Sequence, residues 1–130
     1  MSDLNPKGVE FELGGIKRHF LFTFNVIDEI QEEYGTGVLD VIQKMCMTED
    51  TIPVLKYLVK TLINDEVERE KFFNKNCDLT PVTDKEVGWL LTNENMLEAS
   101  KAVMRAYGLS VPEDTDEDGG EDPNEMSESL

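Results

Sequence analysis

The chain has little of what reactive centres are usually built from. Its 130 residues include one histidine, two cysteines and one tryptophan. His19 is the lone candidate for any histidine-based dyad or triad. Cys46 and Cys77, with one histidine and no clustered spacing, do not make a zinc site, and two thiols are consistent with a reducing compartment. No run of 18 apolar residues occurs, which excludes a membrane-spanning helix. The opening MSDLNPKG lacks the basic and apolar regions of a signal peptide, so the cytosol is expected.

Basic residues are also scarce. Twelve Lys and Arg face 28 Asp and Glu, a net charge of −16. Residues 1–109 carry all 12 basic residues against 19 acidic ones, or −7, and residues 110–130 carry nine acidic residues and no basic one, or −9. So acidic a chain lacks the positive footprint that nucleic acid requires and is repelled by anionic membrane surfaces.

What is present is a strong fold signal. Val9, Phe11 and Leu13 alternate with Glu10 and Glu12, the period of a strand with one buried face. Gly14-Gly15 supplies two residues that accept positive φ, as a tight hairpin turn requires. The implied register pairs residues 9–13 antiparallel with 16–20, with Leu13 opposite Ile16 and Val9 opposite Phe20. It gathers Val9, Phe11, Leu13, Ile16, Phe20 and Phe22 on one face and sets Glu12 against Lys17 on the other. Arg18 is the misfit on the apolar face and is expected at the hairpin edge with its head in solvent.

Thr23 or Asn25 can cap the helix that follows, with Phe24, Ile27, Ile30 and Tyr34 at helical spacing and Gly35 as a left-handed stop. Residues 37–47 read as a second helix. Pro53 fits the first turn of a third, the most apolar, with Leu55, Leu58, Val59, Leu62 and Ile63 on one face and an Asp65–Arg69 pair at i, i+4. Residues 72–81 read as a loop. Thr83 to Glu86 forms a capping box opening a fourth helix with Val87, Trp89, Leu90 and Leu91. Asn93 is the expected cap of a fifth, with Met96, Ala99, Val103 and Tyr107 on one face and Gly108 at its end. From Ser110 the sequence is acidic and poor in apolar residues, the composition of a disordered tail. The fold class is therefore α+β and mostly helical: an N-terminal β-hairpin packed on about five helices over residues 1–109, then a disordered acidic tail over 110–130.

Site signals are weak. Asp114, Asp116, Asp118, Gly119 and Glu125 match the spacing of an EF-hand calcium loop. Glu121 stands where such a loop packs an apolar residue, Pro123 interrupts it, and no amphipathic helix follows. The context favours weak, nonspecific cation binding over a calcium site. His19 alternates onto the polar strand face opposite Glu10, as a surface histidine would. Glu32 and Glu33 diverge on a solvated helix face. Cys46 falls on an apolar face, where packing is expected, and Cys77 lies in a polar loop without a nameable base. Met45, Met47, Met96 and Met104 fall on helical faces and are expected in the core, with an adaptable binding groove as the other reading. Gly14-Gly15 leads into a strand and not a helix N-terminus, so it is no phosphate cradle. No catalytic residue and no cofactor are expected.

The opening F-E-L-G-G-I-K-R, the aromatic strand HFLFTF and the step into NVIDEIQEEYG resemble the tail assembly chaperones of long-tailed bacteriophages, including prophage-encoded members. The likeness is best over residues 11–35 and looser over 8–109. It implies a non-enzymatic protein of the bacterial host cytoplasm that takes part in virion morphogenesis and stays outside the mature virion. Its implied partners are the tape measure protein, kept soluble until the tail assembles, and the tail tube subunits. Two other readings come from the residues themselves: an acidic decoy for a basic nucleic-acid-binding protein, and a calcium-binding module built on the C-terminal loop.

Overall fold

Two glycines next to each other set the first element of the structure. In a computed structural model, which describes residues 7–111, Gly14 and Gly15 have φ of 63° and 80°. This is the left-handed geometry that a two-residue hairpin turn needs. The turn joins β1 (Val9–Leu13) to β2 (Ile16–Phe20) in an antiparallel pair with Leu13 opposite Ile16 and Val9 opposite Phe20, the register read from the alternation. The Lys17 ammonium does not meet its direct neighbour Glu12. It reaches diagonally to Glu10 at 3.4 Å, within range of a long side chain on a twisted ribbon.

A Cβ on Gly14 would lie 2.4 Å from Leu90 Cδ2. Gly14→Ala therefore combines a positive φ with a close contact. It is expected to cost about 1–3 kcal/mol, read as a lower denaturation midpoint, whereas a loss below 0.5 kcal/mol would mean that the turn and Leu90 shift freely.

Five helices follow: α1 (Phe24–Tyr34), α2 (Val38–Met47), α3 (Thr51–Phe73), α4 (Asp84–Leu90) and α5 (Met96–Ala106). Thr23 caps α1, its hydroxyl accepting from the Val26 N–H, and Gly35 ends it at φ 70°. Thr83 and Glu86 form the capping box of α4. α3 is the hub: it packs against β2 and against each of the other four helices, while β1 lies along α5. Val54, Leu55, Leu58, Val59, Leu62, Ile63 and Val67 of α3 are all buried, the wide apolar stripe of a core helix. Around it close Leu13, Phe20, Val26, Ile30, Val41, Ile42, Met45, Val87, Ala99 and Val103. The hairpin on a five-helix bundle is the fold expected from the sequence.

Several expectations are corrected. The buried face of α1 is Val26 and Ile30, and Phe24 is 89% exposed. Two residues of helix turn Phe24 about 200° away from Val26. α3 runs on through Phe72 and Phe73 and stops at Asn74, because the charged stretch before them is a good helix former. Asn95, not Asn93, precedes α5. Its side chain accepts from the Thr92 N–H and donates to the Leu90 carbonyl, which fixes the short turn between α4 and α5. Met45 is core and Met96 and Met104 are half-buried, but Met47 is exposed at the end of α2. The acidic tail from residue 112 onward lies outside the described residues, and so do Asp114, Asp116, Asp118 and Glu125.

Among the described residues no helix is long and apolar enough to cross a membrane.

Candidate functional site

His19 does not stand on a solvated face. Its backbone N–H donates to Glu66 Oε1 at 2.9 Å, and its Nδ1 lies 2.6 Å from Glu66 Oε2. Glu66 is buried on α3, and a third of the His19 side chain remains exposed. An ionised carboxylate only accepts, so the ring proton is assigned to Nδ1. The surface reading fails because β2 packs directly on α3, so its polar face is covered too. Beside it on α3 stands a second, half-buried polar pair. Arg69 Nη1 donates to Asp65 Oδ2 at 2.6 Å, and the Thr23 hydroxyl donates to the same oxygen at 3.1 Å. These contacts tie the start of α1 and the strand before it to α3. Among the described residues neither pair includes a nucleophile with a matched base, and Thr23, Asp65 and Arg69 border a surface concavity.

Glu66 was legible in principle. Leu62, Ile63, Glu66 and Val67 continue the apolar stripe of α3 at i+3 and i+4, and an acid on such a stripe must be buried with a partner.

Cys46 is exposed as a residue, yet its sulfur lies 3.6 Å from Met104 Sδ. Burial pushes its thiol pKa up, the opposite of an activated nucleophile. Cys77 is half-buried in the loop after α3. Glu32 and Glu33 are exposed. Among the described residues no three His, Cys, Asp or Glu side chains converge as a metal site would require.

The surface is more informative than the interior. Phe24, Met47, Ile52, Phe72, Phe73, Trp89 and Leu97 are all exposed. Two surface concavities carry exposed phenylalanine or tryptophan side chains on their rims. The first, about 390 Å³, lies between the start of α1 and the end of α3 and is lined by Thr23, Asn25, Arg69, Phe72 and Phe73. The two phenylalanines meet edge to face at 5.1 Å, and Phe24 stands between lining residues Thr23 and Asn25.

The second, about 330 Å³, runs between the hairpin and α4 and is lined by Ile16, Arg18, Pro81, Val82, Trp89 and Leu90. Its walls are held in place. Asn64 on α3 accepts from the Val82 N–H at 2.7 Å and donates to its carbonyl at 2.9 Å, pinning the loop ahead of α4. Lys60 on α3 meets Asp84 at 2.7 Å, and that hydrogen bond and charge hold the Asp84 carboxyl below its ordinary range.

Arg18 overturns its expected position. Only 5% of it is exposed, and its Nε and Nη1 are buried without a hydrogen-bond partner. The sequence places it correctly on the apolar face. Thr80, Pro81 and Val82 of the loop and Glu86, Trp89 and Leu90 of α4 then stand beside it in one groove, so the head is less exposed than a side chain at an open sheet edge would be.

No known protein family, curated protein or solved structure matches this chain.

Proposed function

We propose that this chain is a non-enzymatic phage tail assembly chaperone that binds the helical tape measure protein and keeps it soluble during assembly. The observation that carries the reading is the set of large apolar side chains left in solvent on a strongly acidic protein. Phe24, Phe72 and Trp89 are 89, 79 and 71% exposed, while the net charge is −16. A holdase needs both features: apolar surface to engage an amphipathic client and like charge to keep the complex dispersed. The resemblance over residues 11–35 supplies the client's identity. No cofactor enters this reading.

The test is co-expression with a tape measure protein from the same phage or prophage. The client is expected in the soluble fraction with this chain and in the pellet without it. Phe24→Ser combined with Phe72→Ser should leave stability within about 0.5 kcal/mol, as exposed positions do, yet return the client to the pellet. A client equally insoluble with and without this chain would sink the proposal. Capture instead of a basic nucleic-acid-binding protein, lost as salt rises, would favour the acidic decoy, which the net charge alone supports.

A further inference from the structure

We infer that the groove between the hairpin and α4 is a recognition site for a polypeptide segment that presents an Asp or Glu carboxylate beside a large apolar side chain. Arg18 is the buried cation of this groove. A guanidinium this deeply buried needs an anionic partner. Among the described residues it has none: Nε and Nη1 lack any hydrogen-bond partner. The one carboxylate in the groove lining, Glu86, is already committed to the Thr83 N–H at 2.9 Å.

The rest of the lining is suited to a side chain. Ile16 and Trp89 are exposed on its rim, and Pro81, Val82 and Leu90 form apolar wall. Trp and Arg are the residue types that dominate binding hot spots when an apolar surround excludes water. An apolar group laid on Trp89 and Ile16 would exclude water from the groove, where an adjacent carboxylate meeting Arg18 would be charge-assisted. The groove is pre-organised by the two hydrogen bonds between Asn64 and Val82, so little ordering is lost on binding. The inference concerns recognition chemistry and does not depend on the client being a tail protein.

Trp89 is the sole tryptophan of the chain, so its fluorescence reports the groove directly. The probes are amidated 12-residue peptides in which one Glu stands one to four residues from a Leu or Phe in an Ala, Ser and Lys background, each paired with its Gln counterpart. The full chain is expected to bind a subset of the Glu peptides, with a blue shift of Trp89 and protection from acrylamide. Each Gln counterpart should bind at least tenfold more weakly.

Arg18→Met should fold with unchanged or raised thermal stability, because it replaces a buried unpaired charge with an apolar side chain of similar length. It should erase the Glu-over-Gln preference, and Arg18→Lys should retain part of it. Three outcomes would overturn the inference: no Glu peptide moves Trp89; Glu and Gln peptides bind alike; or Arg18→Met leaves the preference intact. A fourth would also do so. If Trp89 is shielded in the free chain and becomes exposed when residues 112–130 are deleted, the occupant is the chain's own acidic segment.

Discussion

Asp65→Ala is expected to cost about 3–5 kcal/mol of folding free energy, a large share of the roughly 5–15 kcal/mol that holds a domain of this kind together. The Asp65 and Arg69 side chains are only 12 and 8% exposed, so their ion pair is shielded from water. Asp65 Oδ2 accepts from both Arg69 and the Thr23 hydroxyl. Among the described residues Arg69 has no other acceptor to fall back on: its Nε and Nη2 are already buried without partners. Removing the carboxylate leaves a whole guanidinium uncompensated, which is far costlier than losing the pair as a unit. Arg69→Met on the Asp65→Ala background should therefore recover most of the loss, and Arg69→Met alone should cost less than Asp65→Ala. Urea unfolding of the four proteins at constant slope measures this as a double-mutant cycle. A cost below 1 kcal/mol for Asp65→Ala would show that water or a rearranged Arg69 replaces the carboxylate. It would also remove the main reason for regarding the junction of α1 and α3 as rigid.

The fold was largely legible because its strongest local signals agree with one another. The alternation of residues 9–13, the Gly14-Gly15 turn, the capping box at Thr83 and the apolar face of α3 each have a short-range cause, and all of them survive in the tertiary structure. What local reasoning missed was burial of polar side chains. Strand alternation assigns Arg18 and His19 to opposite faces but does not say that Arg18 will be buried and that His19 will bond to Glu66 of α3. The hairpin groove is likewise invisible in sequence, because it brings residues 16–18 against residues 80–90 across the whole of α2 and α3. Phe24 erred for a simpler reason. It stands at the first position of α1, where two helical faces both offer apolar residues, and Val26 with Ile30 won the core. The side chains left in solvent by such choices are the ones the proposed function uses.

The second large effect is expected at Glu66. Glu66→Leu keeps the apolar stripe of α3 continuous and fills similar volume, so a purely hydrophobic account predicts little change. The hydrogen-bond account predicts a loss of about 2–3 kcal/mol, because the His19 backbone N–H and Nδ1 both lose their acceptor inside the hairpin–α3 contact. Glu66→Gln separates charge from geometry. Its amide oxygen can still accept from the His19 N–H, and its amide nitrogen can donate to Nδ1 if the ring moves its proton to Nε2. That variant should cost about 1 kcal/mol or less and should show the tautomer change in the 15N shifts of the imidazole. If Glu66→Leu is as stable as the parent, the carboxylate is replaceable by packing and His19 finds water. If both variants are equally damaging, the charge of Glu66 matters more than its reach, and β2 is held to α3 by electrostatics and not by a specific pair of hydrogen bonds.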